Sequence, residues 1–190
     1  MHRVILFSLV LLLNQARLLG QTRDTPRWEA GPLLSETTFG TAVSAGNLEK
    51  AVGGRVTFNL HPIVGIEYQM AYFPGYGAGE DSKTQGSGHI KLTYRLEENR
   101  RLNVFAIVGP GFLHENFSYT GSIGHIVYRY RSVAVDYGVG LEILAHRRFL
   151  VRMDITDFYA GRKFLPFSPL AGSRSWDHHL DLKVAGMFRF

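Results

Sequence analysis

Apolar and polar residues alternate along most of this chain, and the alternation predicts β-strands. The last segment is the clearest case: apart from His178, every second residue from Trp176 to Phe190 is apolar or glycine. The intervening residues are mostly polar or charged. Because successive side chains of a strand point to opposite faces, this segment has one apolar and one polar face. We predict eight such strands, at residues 28–36, 51–60, 63–73, 87–96, 102–113, 132–144, 149–160 and 176–190.

The connections between these strands alternate between short and long. Three are short, at residues 61–62, 97–101 and 145–148. Four are long and contain Gly, Ser, Asn or Pro, at residues 37–50, 74–86, 114–131 and 161–175. An even number of strands with this alternation predicts an all-β fold, an eight-stranded antiparallel up-and-down barrel with tight turns at one end and loops at the other. The first strand should pair antiparallel with the last, and only residues 102–113, apolar on both faces, have no predicted orientation.

The composition of the two faces indicates what surrounds the barrel. The apolar face is bulky and aromatic, whereas the polar face combines Gly and Ala with charges of both signs. Buried charges must be paired, and this set can pair inside a barrel. The predicted interior cluster is Arg55, Glu67, Lys91, Arg95, Asp136, Glu142, Arg152, Asp154, Asp181 and Lys183. This arrangement predicts a transmembrane barrel. A secreted, water-soluble lipocalin-like barrel with the faces inverted is the alternative.

Aromatic residues near the strand ends favour the membrane over water. Membrane barrels carry aromatic girdles at their two interfaces. The residues that we assign to these girdles are Tyr72, Phe73, Tyr94, Phe149, Tyr159, Trp176, Phe188 and Phe190. Strand length agrees, because a tilted spanning strand needs about 9–11 residues.

The first twenty residues differ from the rest of the chain. A basic start at Arg3 precedes an almost unbroken apolar run at residues 4–13, and the sequence then turns polar. This order predicts a secretory signal peptide at residues 1–20, followed by a barrel domain at residues 21–190. The cut is placed after Gly20, with Ala16 as second choice. The apolar run is too short for a spanning helix, which needs about 20 residues.

Composition excludes several kinds of chemistry. The chain has no cysteine, so disulfide scaffolds, cysteine zinc sites and iron–sulfur clusters are excluded. Its net charge of +5 is modest and scattered, which argues against a nucleic-acid partner. We predict no cofactor and no metal site. His178 and His179 are neighbours on a strand and point to opposite faces, and a metal held by His114, His125 and Glu115 is the weaker alternative.

The signal segment, the eight alternating strands and the last strand together resemble the small eight-stranded bacterial outer-membrane barrels of the OmpA, OmpX and opacity type. The chain ends on Phe190, with Phe188 two positions before it. This ending is similar to the C-terminal assembly signal read by the outer-membrane insertion machinery. The resemblance covers the whole of residues 21–190, and residues 151–159 look like the penultimate strand of the family. It implies a location in the bacterial outer membrane, short periplasmic turns and long extracellular loops.

The resemblance implies a structural or surface-interaction role, in membrane integrity or adhesion, without catalysis. We expect a monomer that contacts outer-membrane lipid and lipopolysaccharide, with a possible surface ligand on its long loops. Arginine suits phosphate recognition. The basic residues placed near the lipopolysaccharide phosphates are Arg129, Arg131, Arg162, Lys163 and Arg174.

Two other functions stay open at this point. The first is a small passive channel through the charged interior. The second is a lipid A-modifying enzyme, in which Ser118 with His114 or His125 would supply a nucleophile and a base. The His-x-Ser-Asn stretch typical of the deacylases is missing, since His114 is followed by Glu-Asn-Phe.

Overall fold

The computed structural model describes residues 27–39, 48–74, 82–96, 101–121, 124–163 and 174–190. The predicted signal peptide and the central parts of most predicted loops lie outside these ranges. Within them, no helix has the length and apolar character needed to cross a membrane.

Eight strands make up the described chain. They are β1 (Trp28–Phe39), β2 (Leu48–Asn59), β3 (Val64–Phe73), β4 (Ser82–Arg95), β5 (Leu102–Gly121), β6 (Gly124–His146), β7 (Phe149–Lys163) and β8 (Arg174–Arg189). Each strand pairs antiparallel with the next, and β1 also pairs antiparallel with β8, so the sheet is a closed barrel. Closure leaves no unpaired strand edge, as a hydrocarbon environment requires. The predicted fold class is confirmed.

The start of β1, the end of β8 and the β2–β3 turn lie at the same end of the barrel. The backbone N–H of Phe190 donates to the Trp28 carbonyl at 2.9 Å. The β2–β3 turn is closed by reciprocal backbone hydrogen bonds between His61 and Val64, at 3.0 and 3.1 Å. In an outer-membrane barrel this end faces the periplasm.

Burial alternates along each strand, with the polar residues inside. On β3, Ile66 and Tyr68 are half exposed, whereas Glu67 and Gln69, which alternate with them, are buried. A water-soluble barrel would show the opposite order, because its apolar residues would fill the core. The alternation therefore excludes the lipocalin-like alternative and identifies lipid as the solvent of the outer wall.

The strands extend further than predicted at the extracellular end. β5 has 20 residues and β6 has 23, and they pair continuously from Leu102–Ile143 to Gly121–Gly124. The prediction of a loop at residues 114–131 is therefore wrong. A strand that extends beyond the membrane has no lipid-facing side, so its sequence needs no apolar alternation. Residues 82–86 likewise belong to β4 rather than to a loop.

The structure also orients the fifth strand and moves one aromatic residue. On β5, Phe105 and Ile107 are buried in the interior, whereas Val108 and Phe112 face lipid. Phe73 is buried as well, so its assignment to an outer girdle is wrong. Apolar side chains on the inner face fill space between the charged groups, which the alternation rule does not anticipate.

Candidate functional site

The barrel interior contains a dense cluster of charged side chains. Nine of the ten predicted cluster members are buried, each at most 3% exposed: Arg55, Glu67, Lys91, Asp136, Glu142, Arg152, Asp154, Asp181 and Lys183. The tenth, Arg95, is exposed, so its assignment to the interior is wrong. Arg95 follows Lys91 and Thr93 on the inner face of β4, and burial falls along this series towards the periplasmic end of the strand.

Arg55 links non-adjacent strands across the interior. Its Nη1 and Nη2 donate to the two carboxylate oxygens of Asp154 on β7, at 2.7 and 2.8 Å. The same guanidinium donates to Gln69 Oε1 at 2.6 and 3.2 Å. Bidentate pairing of this kind combines charge with fixed geometry. Arg55 therefore crosslinks β2, β3 and β7 through the middle of the barrel.

A second group of ion pairs centres on Arg152. Its guanidinium donates to Glu67, which also accepts a hydrogen bond from Thr57 at 2.9 Å. The Arg152 guanidinium lies over the Phe105 ring, 3.9 Å from its centroid, in a cation–π contact. Towards the periplasmic end, Lys91 donates to Glu142 at 2.7 Å.

Asp136 is the hub of a third group. Its Oδ2 accepts from Gln69 at 2.9 Å, from Ser87 at 2.8 Å and from Lys183 at 3.4 Å, and it lies 3.0 Å from His89 Nε2. Gln69 and His89 were not among the predicted site residues. They share the inner face with Glu67 and Lys91, and this parity is the sequence signal that could have identified them.

These groups close the interior to water. Asp136, Arg152 and Asp181 are fully inaccessible, and the interior rings of Phe105 and Phe158 are buried beside them. Near the extracellular end, Leu113, Ser132 and His179 help to line a cavity of about 10 Å³. A cavity of this size holds about one water molecule. The described interior is thus a packed core and not an open lumen.

The described residues include only some of the candidate metal and catalytic residues. His178 is exposed on the outer wall and His179 is buried inside, on opposite faces as predicted. No group of three His, Asp or Glu residues in the described ranges could hold a metal ion. The backbone register places His114 opposite Arg131 and His125 opposite Thr120. The side chains of Ser118 and His125 lie outside the described residues.

The outer wall contains an ionisable residue that the sequence analysis did not single out. Asp157 continues the outward series of Met153 and Ile155 on β7, so it faces lipid. Its Oδ2 lies 2.6 Å from the Tyr137 hydroxyl and 2.7 Å from His178 Nδ1. Counting two residues onward from Ile155 along the outward-facing positions of β7 would have identified Asp157.

A closed eight-stranded barrel with an apolar outer wall and a charged, packed interior is a membrane-spanning β-barrel. The family model for the outer membrane protein beta-barrel domain matches residues 5–184. The chain belongs to this family, and its location is the bacterial outer membrane.

Solved outer-membrane barrels share the fold at low sequence identity. The chain is similar to the N-terminal barrel domain of Pseudomonas aeruginosa OprF, with 11% identity, a TM-score of 0.57, and 87% of this chain and 100% of that one covered. It is also similar to the attachment invasion locus protein Ail of Yersinia pestis, with 13% identity, a TM-score of 0.55, and 86% and 96% covered. Neisserial surface protein A gives 8% identity, a TM-score of 0.56, and 86% and 96% covered. No curated protein matches the chain.

Proposed function

We propose that this protein is a non-conducting outer-membrane barrel with a structural and surface-interaction role. The observation that carries the proposal is the closed interior, in which the charged residues of β2, β3, β6 and β7 are inaccessible to water. An eight-stranded barrel has an interior just wide enough for side chains to fill. Here those side chains are paired with one another, so an ion has no unoccupied path along them.

Conduction would require the ion pairs to separate. Arg55 and Asp154 span the barrel between β2 and β7, and their bidentate contact would have to break for an ion to pass. Separating a buried pair leaves its charges uncompensated, and the scale of that cost is indicated by mutation, where removing one partner costs about 3–5 kcal/mol. This cost favours the structural role over the passive channel.

The extracellular part of the β5–β6 hairpin, at residues 114–131, suits surface interaction, and we call it the β5–β6 ribbon. A spanning strand needs only about 9–11 residues, so roughly half of β5 and β6 extends beyond the membrane. Arg129 and Arg131 are exposed on this ribbon. Their guanidinium groups are suited to phosphate, and we propose that they contact lipopolysaccharide or an extracellular ligand.

Planar-bilayer recording tests the non-conducting interior. The purified, refolded protein should give no discrete current steps above those of a detergent-only preparation. Wild-type steps whose conductance changes in an Asp136→Asn variant would show that the path runs through the interior. That result would replace the structural proposal with the channel.

Shortening the ribbon tests the surface role. Replacing residues 114–131 by a two-residue Asn-Gly turn removes Arg129 and Arg131 and keeps the Leu113–Ser132 pair and all pairs on its periplasmic side, so the barrel should still shift on SDS electrophoresis when unheated. We expect the variant to lose surface adherence of expressing cells, or their resistance to detergent, relative to wild type. Wild-type behaviour in both assays would contradict a role for the ribbon.

Mass spectrometry of lipid A tests the proposed lack of catalysis. Lipid A from cells with and without the protein should have the same masses. A loss or gain of an acyl chain that depends on the protein would favour the lipid-modifying enzyme instead.

A further inference from the structure

The lipid-facing wall contains a polar cluster formed by Tyr137, Asp157 and His178. The register places Tyr137 opposite Asp157 on β6 and β7, and Tyr159 opposite His178 on β7 and β8. An ionisable residue on the lipid face of a barrel is unfavourable, to a degree that depends on its depth. An ionisable residue at membrane depth is therefore a candidate functional residue, and here its partners are the other two members of the cluster.

The cluster lies in the outer leaflet. Asp157 is eight positions along β7 from Phe149, whose ring packs against Phe188 at the periplasmic end. A strand rises about 3.3 Å per residue and is tilted by about 40°, which puts Asp157 on the order of 20 Å above that end. The apolar band of a barrel is about 25 Å tall. The cluster is therefore close to the level of the extracellular headgroups.

Aromatic rings flank the cluster on its extracellular side. The Tyr159 ring lies 4.5 Å from the His178 ring and 5.0 Å from the Trp176 ring, centroid to centroid. Tyr and Trp are typical of the membrane interface, where one side of the ring meets acyl chains and the other meets headgroups. The imidazole is thus positioned by a carboxylate on one side and by an aromatic stack on the other.

The exposed atoms of the cluster determine which ligand it can take. Asp157 Oδ1 is enclosed, and Asp157 Oδ2 already has two partners. A lipid amine would therefore have to share an oxygen that Tyr137 and His178 already occupy. The His178 side chain is 58% exposed, and with Nδ1 on Asp157 its free nitrogen is Nε2.

We propose that His178 Nε2 binds the phosphate of an outer-leaflet lipid headgroup, with Asp157 and Tyr137 as positioning residues. A charged imidazole donates Nε2–H to a phosphate oxygen, and a neutral one accepts from the P–O–H of a phosphomonoester. Trp176 and Tyr159 contact the apolar part of the same lipid. This site is separate from the closed interior and from the ribbon. Its test is therefore independent of the tests of the proposed function.

Native mass spectrometry of the protein in detergent micelles tests the proposal. The probes are lipid A, which carries phosphomonoesters, and phosphatidylglycerol, which carries a phosphodiester. Wild type should retain one phosphorylated lipid, and His178→Leu should reduce the retained fraction at least tenfold. His61→Leu, the same change on a periplasmic turn, is the matched control and should bind as wild type does.

Each outcome bears on the proposal. Retention of both lipids indicates a general phosphate site, and retention of lipid A alone indicates a phosphomonoester site. Equal retention by His178→Leu and wild type, or equal retention of dephosphorylated lipid A, would overturn the proposal. If His178→Leu does not fold, His178→Gln keeps a polar side chain at the position, and its retention must fall as well.

Discussion

The inner and outer faces of the same eight strands carry their ionisable groups in different ways. Inside, Arg55 reaches both oxygens of Asp154 and one oxygen of Gln69, on two other strands. Outside, Asp157 has contacts only with adjacent strands, through Tyr137 and His178. The interior groups are inaccessible, whereas His178 is more than half exposed.

This difference suggests separate roles for the two sets of ionisable groups, with the interior set stabilising the barrel and the outer set available to a ligand. A buried charge with several partners contributes to closure, and nothing outside the protein can reach it. A charge on the wall with few partners contributes less to stability but remains open to a ligand. We therefore propose that recognition belongs to the outer wall and to the extracellular part of the β5–β6 hairpin, and that the interior holds those surfaces in place.

The largest expected effect comes from removing an interior cation. Arg152→Leu removes the guanidinium that hydrogen-bonds to the buried Glu67, and it removes the contact over Phe105. Glu142 keeps Lys91 as its partner. Breaking a buried ion pair on one side costs about 3–5 kcal/mol. The free energy of unfolding, measured by urea titration in lipid vesicles, should fall by about this amount.

The matched control is Arg95→Leu on the exposed end of β4. A surface position away from such contacts changes stability by about 0.5 kcal/mol or less. Both residues lie on the inner face and differ in burial, so similar losses in the two variants would show that burial among the ion pairs is not the cause of the loss at Arg152.

A smaller effect is expected from filling space inside the barrel. A Cβ at Gly140 would overlap with the Met153 carbonyl oxygen and the Phe105 ring. Overpacking of this kind costs about 1–3 kcal/mol, so Gly140→Ala should lower the urea midpoint measurably.

Gly54→Ala makes the same change on the outer wall. The atom nearest to the new Cβ would be the Gly31 carbonyl oxygen, at 3.9 Å, so the midpoint should stay within error of wild type. If Gly54→Ala destabilised the barrel as much as Gly140→Ala, the overlap at Gly140 would not be the cause and the packing argument would fail, because the reduced freedom of the unfolded chain acts in the opposite direction.

Sequence alternation predicted the strand number, the closure and most of the interior cluster, because one rule of period two governs every spanning strand. It failed where a second influence acts. Phe73 and Phe105 occupy inner positions, where they fill space between charged side chains. A polar–apolar pattern does not indicate where a large side chain is needed to fill space.

The β5–β6 ribbon was missed for a different reason. Residues 114–131 pair through the backbone register of the two strands, which needs no polar–apolar alternation, so in composition they resemble a loop. The outer cluster was missed because it is a contact across strands. Asp157, Tyr137 and His178 are far apart in sequence and meet only through the register.

The smallest stability effect, and the sharpest test of the comparison, is expected at Asp157. Asp157→Leu removes the hydrogen bonds from Tyr137 and His178, which destabilises the wall. It also removes a carboxylate from lipid, which stabilises it. Near the interface the penalty for a charged residue is about 0–1 kcal/mol, so the two terms nearly cancel and unfolding in urea should change by about 1 kcal/mol or less.

Asp154→Leu is the inward counterpart, three positions along the same strand, and it strips Arg55 of its bidentate partner. Its stability should fall as far as that of Arg152→Leu, while its folded fraction should still retain phosphorylated lipid. Asp157→Leu should show the reverse, with normal stability and weakened lipid retention. Because both variants remove one carboxylate from β7, a shared loss of stability would mean that the outer cluster is structural, and that the division between a closed interior and a recognising wall does not hold.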